Sequence, residues 1–185
     1  RRGYGIKDVY AIPLYVFLGT GGEEDEQLFN HLGLSQVVGL TDDSQPIQYW
    51  IGNGVLFVSL QPDTDVDSEK IAGELGRYLR KWRPRQPANG VVIAVGFDQI
   101  VDTVTVNMEL LAKAQAALTN VLNHETGLRL PTYVSVCRMA QLADFCELFA
   151  GDEEGYCDHP LGGLLQVGQS GNIEREEFDR VYENV

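Results

Sequence analysis

AIPLYVFLGTGGEEDEQLF, Ala11–Phe29, passes from an apolar run through a glycine turn into a segment able to form a helix. Strand, glycine loop and helix in that order outline a phosphate-binding loop, where backbone N–H groups at a helix N-terminus face an anion. The residues inside the outline oppose that use. Laid along the chain, G-x-x-x-x-G-K-[ST] falls on Gly19, Glu24, Asp25 and Glu26, with Gly22 in the turn and Glu23 adding a further acid. Carboxylates stand where the second glycine, the lysine and the hydroxyl belong. One carboxylate about 4 Å from one phosphate charge is repelled by roughly 4 kcal/mol, where a lysine would be attracted by as much. The swing of about 8 kcal/mol equals the whole free energy of micromolar binding. Glu23, Glu24, Asp25 and Glu26 can themselves occupy the helix N-terminus in place of phosphate. A plain acid-rich helix start is the competing explanation.

The rest of the chain repeats the alternation. GVLFVSL (Gly54–Leu60), GVVIAVG (Gly90–Gly96) and PTYVSVC (Pro131–Cys137) are nearly continuous in hydrophobicity, the pattern of strands covered on both faces. Between them lie helical periods. Ser68–Trp82 puts Ile71, Leu75, Tyr78, Leu79 and Trp82 on one stripe, with Asp67 or Ser68 as cap and Pro84 as stop. Asn107–Gly127 aligns Leu110, Leu111, Ala114, Leu118, Val121 and Leu122; Met139–Ala150 aligns Leu142, Phe145, Cys146 and Phe149. Residues 33–48 read as a loop or edge segment. Strands alternating with helices predict an α/β fold with a mostly parallel central sheet flanked by helices. Residues 1–150 form the expected domain, and 151–185, with acidic GDEEG and an amphipathic tail, a short C-terminal extension packed on it.

The 185 residues carry a net charge of −13, which disfavours nucleic acid and anionic membrane as direct partners. Three cysteines, Cys137, Cys146 and Cys157, give no disulfide framework and suit a reducing compartment. Cys157–His159 matches no zinc spacing, and Cys137 reads as packing at the end of a strand. His31, His124 and His159 are scattered, so no metal ligand set or catalytic triad is expected. Asp63, Asp65, Asp67 and Glu74 fall at the positions of a calcium loop, but Ser68 replaces the required glycine; a capped helix is the better reading. The chain opens on Arg1 rather than Met, as expected of an excised fragment, and holds no run of 18 apolar residues, so no membrane span is expected within it; a span elsewhere in a parent protein stays open.

Three segments together resemble the IcmF/TssM family, inner-membrane components of bacterial type VI secretion and related type IV systems. VYAIPLYVFLGTGG is similar to that family's entry into its phosphate loop. RKWRPRQPANGVVIAVGFDQIV (Arg80–Val101) resembles its Rp+qPiNGvivais segment, and LRLPTYVSVCRMAQLADFCELFA (Leu128–Ala150) its lPvYvlvTKcDlleGFeeFF segment. The resemblance implies a Ras-like P-loop NTPase fold at the cytoplasmic face of the inner membrane. It also implies a DotU/TssL-type membrane partner and baseplate proteins as contacts. The family's guanine-reading TKxD falls here on Cys137, Arg138, Met139 and Ala140, and its DTAG on Val58–Gln61. Neither replacement keeps the needed acid. A docking domain without cofactor and without hydrolysis is therefore expected, a pseudo-GTPase; the alternative is a divergent NTPase that powers or regulates secretion assembly. Arg80, Lys81, Arg83 and Arg85 suggest either a docking patch for an acidic partner or inner leaflet, or complementation of a helix C-terminus.

Overall fold

The structure, a computed structural model, describes residues 8–19, 23–37, 47–60, 67–101 and 108–139. These belong to one compact unit, Arg1–Met139; Ala140–Val185 form a second unit, which lies outside the described residues. The expected helix over Met139–Ala150, the acidic loop and the boundary at residue 150 all fall there.

A 3-10 turn at Asp8–Tyr10 leads into β1 (Leu14–Leu18), α1 (Glu23–His31), β2 (Ser35–Gln36), β3 (Ile47–Gly52) and β4 (Val55–Leu60). Then come α2 (Ser68–Trp82), β5 (Gly90–Gly96), α3 (Phe97–Val101), α4 (Met108–Thr126) and β6 (Thr132–Cys137). The strands form one six-stranded sheet in the order β2-β3-β4-β1-β5-β6. The α/β class expected from the sequence is present, but the sheet is mixed rather than mostly parallel. β1 pairs in parallel with β4 and β5, and β5 with β6, whereas β2–β3 and β3–β4 are antiparallel. The cause is a tight hairpin. Asn53 and Gly54 both take positive φ, 47° and 75°, the backbone that an Asn-Gly turn supplies at low cost. β3 therefore folds straight back on β4; only its first two residues, Ile47 and Gln48, fall inside the stretch read as a loop or edge segment.

β1 divides the interior into two. Leu14, Val16 and Leu18 face one way, into a core shared with Val58 and Leu60 of β4, Leu75 and Leu79 of α2, and Leu118 and Leu122 of α4. Phe17 faces the other way and packs with Phe29 of α1, Trp50 of β3 and Ala94 of β5. Its ring meets Phe29 edge-on at 4.7 Å between centroids, and Phe29 stacks on Trp50 at 4.8 Å. Asn89 anchors the start of β1: its N–H donates to the Leu14 carbonyl at 2.6 Å, and its side-chain oxygen accepts from the Leu14 N–H at 2.9 Å. This locks the entry of β5 to β1.

Two helix faces differ from the expected stripes. On α2 the buried residues are Ala72, Gly73, Leu75, Gly76 and Leu79, while Tyr78 and Trp82 point outward. On α4 they are Gln115, Leu118, Thr119, Leu122 and Thr126, with Leu110 exposed. The small residues of α2 let α4 approach closely, and that contact, rather than the largest apolar side chains, sets which face turns inward. Asp67 caps α2, its Oδ1 accepting from the Lys70 N–H at 3.2 Å, so the carboxylate serves the helix. No cluster suited to a metal ion occurs among the described residues, and Asp63 and Asp65 lie outside them. β6 is the other surprise. It borders the sheet beyond β5, and among the described residues it is not covered on both faces: Val134 is 67% exposed. Beside it, Ile93, Val95, Leu111, Gln115, Thr119 and Val134 help line an apolar cavity of about 370 Å³ under α4.

The α2–α4 contact makes a paired expectation. A Cβ at Gly76 would stand 2.8 Å from the Glu125 Cβ, whereas one at Gly73 would meet Val121 Cγ1 at an ordinary 3.6 Å. Gly76→Ala is expected to destabilise by about 1–3 kcal/mol through overpacking. Gly73→Ala is expected to be neutral or to stabilise by up to about 1 kcal/mol through helix propensity. Urea unfolding of the two variants checks the difference in sign.

Candidate functional site

In an open α/β sheet the carboxyl ends of the strands at a reversal of strand order form the natural crevice. Here that reversal is at β1, whose neighbours β4 and β5 follow it in sequence on opposite sides. The residues singled out in the glycine loop and after β6 are brought to this end of the sheet. Gly19 directly follows β1 and is buried; Asp25 stands in the first turn of α1 and is only 3% exposed. The Asp25 carboxylate lies so close over Gly19 that a methyl group there would collide with it, and would also come within 2.9 Å of Phe17 Cε1. A side chain at this position would have to displace a carboxylate of the same chain. Glu24 is in α1, and Glu26 is half-buried beside Asp25 in sequence. Gly22 and Ala140 lie outside the described residues.

Cys137 and Arg138 complete the cluster from the far side of β5. The Cys137 thiol donates to the Val95 carbonyl at 3.4 Å. Burial pushes this thiol up from its ordinary range; the Arg138 charge pulls it back, and the Asp25 charge pushes it up again. Asp25 and Arg138, more than a hundred residues apart in sequence, therefore both act electrostatically on the Cys137 thiol. Arg138 holds a left-handed backbone, φ 64°, a conformation that costs a non-glycine residue of order 1 kcal/mol or more. The turn aims its guanidinium back over Gly96, where a side chain would strike it. Its Nη2 lies 3.1 Å from Asp98 Oδ1. The Gly96 N–H donates to Gln99 Oε1 at 3.0 Å, which ties the end of β5 to α3.

Asp98, Gln99 and Gly96 were not expected as members of the site. Their signal is GFDQ at the exit of a strand, an acid and an amide where the chain leaves a sheet. The segment over Val58–Leu60 carries no acid: it is the buried end of β4, and the Ser59 hydroxyl has no hydrogen-bond partner. His31 Nδ1–H donates to the Gln27 carbonyl of its own helix at 2.7 Å, and His124 is exposed beside Glu125. A buried acid stands over the strand end, an arginine–aspartate pair bridges β6 to α3, and a thiol of low acidity sits between them.

Residues 67–185 match the family model of the IcmF-related N-terminal domain. The chain belongs to the IcmF-related family. The matched span contains α2, the RPRQPANG segment, β5 and the Cys137–Arg138 turn, so Gly96, Asp98, Gln99, Cys137 and Arg138 of the cluster lie inside the IcmF-related region, while Gly19 and Asp25 precede it. The glycine loop of residues 19–22 precedes it. No curated protein sequence matches the chain significantly. Among solved structures, it is similar to an ADP-ribosylation-factor-like small COPII coat GTPase from Encephalitozoon cuniculi in complex with GDP. That match has 12% identity over 79% of this chain and 77% of that one, with a TM-score of 0.34. It is also similar to PbaA of Pyrococcus furiosus, an archaeal homologue of a proteasome-assembly chaperone, with 14% identity over 74% and 88% and a TM-score of 0.30. Likenesses of that size carry no argument about activity. No helix among the described residues of this IcmF-related chain is long and apolar enough to cross a membrane.

The thiol reports on the cluster. In a background with Cys146 and Cys157 replaced by serine, Asp25→Asn is expected to lower the pKa of Cys137, and Arg138→Gln to raise it, because those charges act on the thiol in those directions. Alkylation rates followed against pH check both signs; no change in either variant would separate Asp25 and Arg138 from the thiol.

Proposed function

We propose that this chain is a docking domain of a secretion-system membrane complex, built on a Ras-like fold that has lost nucleotide chemistry. The observation that carries the reading is the buried Asp25 carboxylate lying over Gly19 at the end of β1. A triphosphate in a working loop of this kind puts its anionic oxygens against that strand end and that helix start. Here a buried side chain of the same chain already takes up that space. The guanine-reading turn is likewise occupied: Arg138 reaches Asp98 within the same chain. The strand order, with a hairpin at β3–β4 beside parallel β4, β1, β5 and β6, is the frame a Ras-like domain uses, and membership of the IcmF-related family supports a role in secretion.

With chemistry removed, what remains useful is a rigid sheet bearing loops and helices for recognition. The partners we propose are a DotU/TssL-type membrane protein and baseplate components, met at the cytoplasmic face of the inner membrane, with the membrane itself engaged by other parts of the parent protein. Calorimetric titration with GTP, GDP and ATP, each with Mg²⁺, decides between this reading and a divergent NTPase. No saturable heat is expected up to about 1 mM nucleotide, where binding energy would be only about 4 kcal/mol. Micromolar affinity, or turnover that disappears in Asp25→Ala, would overturn the proposal.

A further inference from the structure

The second half of α2 and the turn after it concentrate positive charge in an acidic chain. Arg77, Arg80, Lys81, Arg83 and Arg85 account for five of its fourteen cations, and no acid occurs between Glu74 and Asp98. The structure sorts these cations by task. Arg77 lies 3.5 Å from Glu125, and Arg80 sits against Gly127, just past the C-terminus of α4, where a cation is favourable. Arg83 is buried beneath the surface, its guanidinium 5.3 Å from the centre of the Tyr10 ring. Among the described residues no carboxylate pairs with it, so its charge adds to the potential above. Lys81 and Arg85 are exposed and remain for other use.

Beside them stand the two aromatics that packing does not use. Tyr78 is 58% exposed and Trp82 49%, and their rings stack one helical turn apart at 6.5 Å between centroids. Tyr49 of β3 is close enough for Tyr78 to act on its hydroxyl, which burial chiefly pushes up. The ground under this patch is fixed. The Arg83 N–H donates to the Leu79 carbonyl at 2.7 Å and the Arg85 N–H to the Tyr10 hydroxyl at 3.1 Å, while Pro87 and Ala88 are buried. Exposed Trp, Tyr and Arg on a rigid support are the residues that dominate protein interfaces.

We infer that Tyr78, Trp82, Lys81 and Arg85 form a docking surface for an acidic segment of a partner protein. One apolar side chain of that segment lies on the Tyr78–Trp82 pair, and flanking carboxylates meet Lys81 and Arg85. This rests on the docking function proposed above and deepens it. Charge decides the class of partner. An anionic bilayer gives about 1 kcal/mol for each cation near its surface, and two projecting cations do not outweigh a body of net charge −13 brought to the same plane. A short acidic segment touches the patch alone and avoids that repulsion.

The test uses the whole chain and a fluorescein-labelled peptide, about a dozen residues of Glu and Asp around one Phe, with a Gln/Asn counterpart as control. Binding of the acidic peptide is expected, with a blue shift of Trp82 emission, and weakening several-fold between about 50 and 300 mM salt. Lys81→Glu/Arg85→Glu is expected to weaken it about tenfold or more, and Tyr78→Ala/Trp82→Ala about fivefold or more. Circular dichroism and melting temperature verify that these exposed substitutions leave the fold intact. Equal affinity for the neutral peptide, or unchanged affinity in both double variants, would overturn the inference. So would binding to vesicles with about 30% phosphatidylserine that Lys81→Glu/Arg85→Glu abolishes, or self-association lost in Tyr78→Ala/Trp82→Ala, which would make the occupant a second copy. Nucleotide binding would instead sink the docking function while leaving the peptide result standing, so the two failures are distinguishable.

Discussion

β1 is five residues long and hydrogen-bonds in parallel to β4 on one side and β5 on the other. Every larger feature depends on that double pairing. With both edges used, the strand must cover both faces with protein, and its alternation does this: Leu14, Val16 and Leu18 toward α2 and α4, Tyr15 and Phe17 toward the other face. A shift of one residue would exchange the two sets and put three aliphatic side chains where two aromatic rings now pack. Asn89 guards against such a shift by bonding both backbone groups of Leu14. The register of β1 in turn fixes where Gly19 emerges, and so where the cleft at the sheet end lies.

Charged side chains of the protein gather at that end of the sheet. Asp25 reaches in from α1, Arg138 from the end of β6, Asp98 from α3, and the Cys137 thiol senses two of the three. The backbone carries costs for this: a glycine at residue 96 to pass the guanidinium, and a left-handed arginine to aim it. Strain of this kind persists where the surroundings over-determine it. The Arg138–Asp98 pair ties the end of β6 to α3 within the chain.

The helices show a related economy of shape. α2 turns its small residues inward because α4 must come close, and the aromatics on the flanking arc are thereby left exposed beside the cations. Close helix packing and an exposed aromatic–basic surface are two consequences of one rotation about the α2 axis.

Much of this is written locally. The strand cores of β1, β4, β5 and β6, the span of α2 with Asp67 as its cap, the span of α4 to within a residue at each end, and the loss of a lysine from the glycine loop all follow from residue type and period. These depend on near neighbours in the chain. The Asn53–Gly54 hairpin was also legible in principle, but the continuous apolar run after it reads equally well as a parallel strand, and pairing partners decide. What no local pattern could give is the meeting of Asp25 with Cys137 and Arg138 across more than a hundred residues, the service of Asp98 as partner to Arg138, or the outward turn of Tyr78 and Trp82. Those depend on strand order and on how near two helices can approach, and both are set by contacts between segments that carry no mark of one another in sequence.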